Sequence, residues 1–283
     1  MKPKINLAKS AGFCFGVKRA IDIALKSAGD YPLVEMLGDI VHNEDVCRDI
    51  AASGIKKVKV LKNGKGKVLL IRAHGSSLKT MKQARGLGYK LIDATCPMVK
   101  EIHKIAQGLE KEGRVVIIIG DENHHEVKGI VGNLKRKPLI ISNKLSLARL
   151  KKIKKAGMVV QSTQNSEKVK KIVKSLRVQI KDLKFFNTIC VPTRRKQAEI
   201  RILPLKNDVV VIIGSKTSAN TRRLYEISRS VNKKSHWVQS DNDLRKEWFK
   251  GAKRIGITAG ASTPDKVTKK IIEKIRALIG VSS

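Results

Sequence analysis

Aromatic side chains are scarce in this 283-residue chain: five Phe, three Tyr and two Trp make up 4% of it. That scarcity leaves few stacking platforms of the kind RNA and single-strand binders use, which argues against a nucleic-acid partner. The core must instead be aliphatic. No apolar run approaches the roughly 20 residues that cross a bilayer, and Met1 leads directly into a strand-like run, Ile5 to Ala8, with no signal peptide in view. The expectation is a cytoplasmic protein with no membrane contact. Cysteine is sparse too, at positions 14, 47, 96 and 190, with no Cys-x-x-Cys pair to announce a local ferredoxin or zinc site. Intracellular chains seldom join such distant cysteines in structural disulfides, so thiols are expected. Acidic residues number 24 against 60 Lys and Arg, for a formal charge of +36. The lysines are scattered through nearly every expected helix and loop rather than gathered in a tail, which fits a solvated basic surface better than a dedicated polyanion site.

What the chain does have is a repeated unit, a short aliphatic strand ending in small or polar residues and then a helix-like segment. Val68 to Arg72 runs into Ala73-His74-Gly75-Ser76-Ser77, and Val115 to Ile119 into Gly120-Asp121-Glu122-Asn123-His124-His125-Glu126. Met158 to Val160 precedes Gln161-Ser162-Thr163, Val209 to Ile213 precedes the turn from Gly214 to Asn220, and Ile255 to Thr258 precedes the turn from Ala259 to Pro264. Strands alternating with helices imply βαβ units and an α/β fold of mostly parallel sheets. Ligands of such sheets bind beyond the carboxyl ends of the strands, where free helix N–H groups attract anions. The polar turns are therefore the place to look for function.

Cys14, Cys96 and Cys190 each stand at the start of an expected helix and recur at similar intervals. This suggests three α/β units, over 15–96, 97–190 and 191–283 together with 1–14. A helix N-terminus lowers a thiol's pKa and favours a metal-binding thiolate, which leaves zinc and iron–sulfur ligation both open. Cys47 lies instead inside a helix-like run, Glu44 to Ala52, as a semi-buried thiol. His124, His125 and Glu126 are adjacent, so the two imidazoles cannot easily face one ion, and no His-Glu-x-x-His is present. His42 and His74 lie in or beside turns; His103 and His236 read as structural. Glu126 and Thr163 offer a carboxyl and a hydroxyl for a proton relay, or else a first-turn charge and a helix cap. Ser218, Asn220 and Ser262 suit either capping or anion binding.

The segments Gly12-Phe13-Cys14-Phe15-Gly16-Val17, Val41-His42-Asn43, Ala73-His74-Gly75, Asp93-Ala94-Thr95-Cys96-Pro97 and His124-His125-Glu126-Val127 resemble, in order, those of the LytB family. The order continues through Gln161-Ser162-Thr163, Thr188-Ile189-Cys190, the turn from Gly214 to Asn220, and Thr258 to Asp265, so the resemblance spans nearly the whole chain. It implies a trefoil of three α/β units around a central iron–sulfur cluster, one [4Fe–4S] per chain, on Cys14, Cys96 and Cys190. It further implies reductive dehydroxylation of an allylic diphosphate, with electrons from an acidic carrier, flavodoxin or ferredoxin. His42, His74, His124, Ser218, Ala219, Asn220 and Ser262 would hold the diphosphate, and Glu126 would deliver protons with Thr163 in its relay. The chain departs from the family at Ser162, where Thr is usual, at Ala219, where Ser is frequent, and at His125, where Pro is common. The stretch Arg194-Arg195-Lys196 after Cys190 is more basic than expected. These departures bear on substrate affinity rather than on reaction type.

Overall fold

A computed structural model describes residues 3–142 and 153–280; residues 1–2, 143–152 and 281–283 of the three expected ranges lie outside the described residues. In chain order the elements are β1 (Lys4–Leu7), α1 (Phe15–Asp30), β2 (Val34–Leu37), α2 (Glu44–Ala52), β3 (Lys56–Val58), β4 (Val68–Ile71), α3 (Leu78–Gly86) and β5 (Lys90–Asp93). There follow α4 (Pro97–Lys111), β6 (Val115–Ile119), α5 (His125–Val131), β7 (Leu139–Ile141), β8 (Lys155–Val160), α6 (Ser166–Gln179) and β9 (Asp182–Phe185). The last are α7 (Val191–Ile202), β10 (Val209–Ile213), α8 (Ala219–Val231), β11 (Ser235–Val238), β12 (Arg254–Ala259) and α9 (Asp265–Leu278).

The strands form three four-stranded sheets, ordered β1-β12-β10-β11, β3-β2-β4-β5 and β7-β6-β8-β9. Every strand pairing among the described residues is parallel. Parallel sheets need helices on both faces, so their central strands are apolar throughout. Val-Val-Val-Ile-Ile in β10 and Val-Leu-Leu-Ile in β4 are buried at every position. The outer strands are short, and β1, β3, β5 and β9 carry charged residues. Lys4, Lys56, Lys57 and Asp182 are exposed, which discourages pairing with another chain's edge.

By contact density the chain divides into two compact units: residues 1–15, 42–46 and 191–283, which contain the first sheet, and residues 16–41 and 47–190, which contain the other two. In the first unit Val209, Val211, Ile213, Ile255, Ile257, Ile271 and Ile275 form an aliphatic core between the sheet and α9. In the second, Ile117, Met158, Val160, Ile172 and Leu176 do the same between the third sheet and α6, while Ile102, Leu109, Ile118 and Ile130 pack its other face against α4 and α5. Burying one such side chain stabilises the fold by roughly 1.5–3 kcal/mol. The aromatic-poor composition is therefore no handicap.

Candidate functional site

The cysteines sit where the parallel topology puts reactive groups. Cys14 directly precedes α1, Cys96 is the N-cap of α4 with Pro97 in the first turn, and Cys190 directly precedes α7. Each is half-buried and each is held by its backbone: the N–H of Cys14 donates to the carbonyl of Ala261 (3.0 Å), that of Cys96 to Ala73 (3.0 Å), and that of Cys190 to Ser162 (3.1 Å). Cys47 lies inside α2, its Sγ donating to the carbonyl of Val41 at 3.5 Å.

Room around Cys96 is supplied by Gly16. A Cβ there would stand 2.4 Å from the sulfur, so only glycine leaves the thiol its place. Gly12 has a φ of +90°, and a Cβ on it would meet Asp265 Oδ1 at 2.7 Å, so the bend leading into Cys14 also requires glycine. Each of the thiols of Cys14, Cys96 and Cys190 is a soft sulfur donor at a helix N-terminus, the kind of ligand an iron–sulfur cluster takes, and Gly16 leaves open the space beside Cys96 that a Cβ would fill.

In the second unit, the turns after β4, β6 and β8 carry the acid–base residues. His124 caps α5, its Nδ1 accepting the N–H of Glu126 at 3.2 Å, which leaves Nε2 to carry the ring proton as a donor. Its ring meets that of His74 edge to face at 5.5 Å between centroids. His125 pairs with Arg72 Nη2 at 3.2 Å, and its ring also lies 6.4 Å from that of His74, tilted against it. His103 lies within α4 beside Gly75 and Gly129; burial lowers its pKa to about 4.

Glu126 is 1% exposed. One carboxylate oxygen accepts the backbone N–H of Ser162 and the other accepts its hydroxyl, both at 2.6 Å. Burial raises the carboxyl pKa, while the two Ser162 bonds oppose the rise. A carboxyl so placed keeps a proton at higher pH than an exposed one would. Thr163 is adjacent in sequence, but its hydroxyl accepts from Gln161 Nε2 at 3.0 Å. The hydroxyl bonded to Glu126 is therefore that of Ser162.

In the first unit, β10 and β12 are neighbours, so their terminal turns meet. A Cβ on Gly214 would touch both Thr221 Oγ1 and Thr263 Oγ1, at 2.7 and 2.8 Å. Ser218 caps α8 by accepting the N–H of Thr221 at 3.3 Å. Ser262 does not cap a helix; its hydroxyl donates to the carbonyl of His42 at 3.0 Å. Asn220 is 4% exposed, and both polar atoms of its amide are buried without a hydrogen-bond partner. Buried polar groups in a native fold are normally satisfied, by protein, ordered water, an ion or a ligand. Lys216 is drawn aside, donating to the carbonyl of Trp237 at 2.6 Å and lying over that indole ring.

Sequence reasoning missed Ser162 as the partner of Glu126, Arg72 beside His125, and a pair on α7, Lys196 and Glu199. Lys196 is 3% exposed and was legible only as one member of a basic run.

A family model described as LytB protein matches residues 5–276. The chain is 37% identical over 278 residues to a protein of Aquifex aeolicus named 4-hydroxy-3-methylbut-2-enyl diphosphate reductase, covering 97% of this chain and 96% of that one. It is 36% identical to the protein of the same name from Geobacter metallireducens, covering 97% and 98%. A solved structure titled as (E)-4-hydroxy-3-methyl-but-2-enyl diphosphate reductase, the terminal enzyme of the non-mevalonate pathway, is similar with a TM-score of 0.72 at 37% identity, over 98% of this chain and all of that one. The reductase structure from Plasmodium falciparum is similar with a TM-score of 0.91 at 27% identity, over 98% and 89%. Among the described residues, no helix is long and apolar enough to cross a membrane.

Proposed function

The chain belongs to the LytB family, and on that premise we propose that it reduces 4-hydroxy-3-methylbut-2-enyl diphosphate to isopentenyl and dimethylallyl diphosphate, the last step of the non-mevalonate route to isoprenoids. The C–O bond of the allylic alcohol breaks, two electrons and two protons enter, and water leaves. The observation that carries this reading is the 37% identity to a named reductase across 97% of the chain.

Cys14, Cys96 and Cys190 would hold one [4Fe–4S] cluster. When bound, it would supply the electrons and Lewis acidity at the substrate hydroxyl. The diphosphate is held by His42, His74, His124, Ser218, Asn220 and Ser262. Ala219 lacks a side-chain donor and contributes only its backbone N–H in the first turn of α8, where the helix dipole favours an anion. The unpartnered amide of Asn220 supports this reading. Glu126 holds the proton to be delivered, its acid form favoured by burial, and Thr163 belongs to the same relay through the Gln161–Ser162–Thr163 turn. The ranges 15–96, 97–190 and 191–283 with 1–14 each contain one complete sheet, which supports reading them as three domains. An acidic flavodoxin or ferredoxin in the cytoplasm supplies the electrons to this basic protein.

The test is to purify the protein without oxygen, count iron and acid-labile sulfide, and record the electron paramagnetic resonance spectrum with and without the allylic diphosphate, together with product formation. A cluster whose spectrum responds to the diphosphate, and the two isomeric products, are expected. A protein that binds zinc, or a cluster indifferent to the diphosphate, would overturn the reading.

A further inference from the structure

The segment between β1 and α1 carries Cys14, and α7 grips it with two charges of opposite sign. Glu199 accepts the backbone N–H of Lys9 at 2.6 Å and of Ser10 at 2.9 Å, and also takes the Ser10 hydroxyl. Lys196, three residues earlier on the same helix, donates to the carbonyls of Ser10, of Gly12 at 3.0 Å and of Ala259 at 3.0 Å. All three ammonium protons are thereby used. A charge this deeply buried is expensive to desolvate, and its three carbonyl bonds offset that cost. A lysine placed so calls for a use.

We propose that Lys196 is a positioning residue for Cys14, fixing the loop that presents the thiolate and setting a buried positive charge beside it. The carbonyls of Ser10 and Gly12 bracket the approach to Cys14, and the N–H of Cys14 is tied to Ala261, so the ammonium joins the loop to the carboxyl end of β12 from both sides. Burial lowers the pKa of the Lys196 ammonium to about 8, and the charges of Cys14 and Glu199 oppose that fall. A fixed cation near a cluster ligand favours the reduced cluster over the oxidised one, since reduction adds negative charge. The inference rests on the reading of Cys14 as a cluster ligand and extends it to a residue that touches neither substrate nor iron.

Wild-type, Lys196→Arg, Lys196→Met and Cys14→Ser proteins, each loaded with iron and sulfide without oxygen, would be compared in rate of iron loss to a chelator and in cluster midpoint potential. Lys196→Met is expected to lose iron about tenfold faster and to titrate at a more negative potential, while Lys196→Arg stays near wild type in both. A purely packing role would leave the potential unmoved. Should Lys196→Met fail to fold, Lys196→Gln keeps N–H donors without the charge, and its potential must still shift negative. Wild-type iron loss and potential in the neutral variant, or equal shifts in the Arg and neutral variants, would overturn the inference. Failure of both neutral variants to fold would also overturn it, by making Lys196 a residue of the fold alone. Cys14→Ser separates the two readings: a retained cluster there sinks the ligand assignment, whereas a lost cluster beside an unaltered Lys196→Met sinks only the role of Lys196.

Discussion

The Glu126 carboxyl is surrounded by protein, and among the described residues its two oxygens bond to Ser162. Glu126→Gln keeps the shape but cannot donate a carboxylic proton, so turnover should fall at least roughly a hundredfold while the cluster and diphosphate binding persist; single-turnover kinetics and substrate-induced spectral change check this. The Ser162 bonds favour the carboxylate and oppose the upward push of burial. Ser162→Ala removes the hydroxyl bond, so the pKa should rise further, and the pH at which turnover falls off on the alkaline side of Glu126's titration should move up. A pH profile of kcat is the measurement, and a limb moving down would contradict the sign. At the thiols, Cys14→Ser, Cys96→Ser and Cys190→Ser should each abolish cluster absorbance, while Cys47→Ser, whose sulfur bonds within its own helix approach, should retain it.

At the scale of elements, α1 carries a conflict between helix propensity and the site. Replacing Gly16 with Ala would favour the isolated helix by about 1 kcal/mol, yet the new methyl would stand 2.4 Å from Cys96 Sγ. Gly16→Ala should therefore fold normally, as read by circular dichroism, and lose iron about tenfold faster than wild type; equal iron retention would show that the cradle can yield. The elements differed in how plainly the sequence announced them. Central strands such as β6 and β10 stand out as unbroken Val and Ile runs, because burial on both faces demands them. The outer strands β3 and β9, Lys-Lys-Val and Asp-Leu-Lys-Phe, have no such pattern, since half their groups face solvent and pairing with a neighbour alone makes them strands. Cys47 falls within α2 over the range its helical pattern indicates.

For the whole molecule, the charge of +36 should act on encounters rather than on chemistry. Steering operates over a Debye length of about 10 Å at 0.1 M salt, so reduction by flavodoxin or ferredoxin should slow as salt is raised from low to physiological levels. Turnover with a neutral or dicationic dye should change little over that range. Carrier-dependent turnover that ignored salt would remove the steering role, and tight RNA binding that survived physiological salt would point to a polyanion partner instead.

The alternation of aliphatic strands with polar turns was enough to set the parallel α/β class, because a sheet buried on both faces leaves its composition in the chain. The three thiols at helix starts were legible for a similar reason: strand, turn and helix N-terminus are local in sequence. Which hydroxyl meets Glu126 was not, since Ser162 and Thr163 are neighbours on one turn and only the path of the chain after β8 directs one of them inward. Nor could sequence distinguish Lys196 from the exposed Arg194 and Arg195 beside it. Its burial follows from the face of α7 that packs against the Cys14 loop and the end of β12, and helix-face packing between segments far apart in the chain is decided only when the whole unit folds.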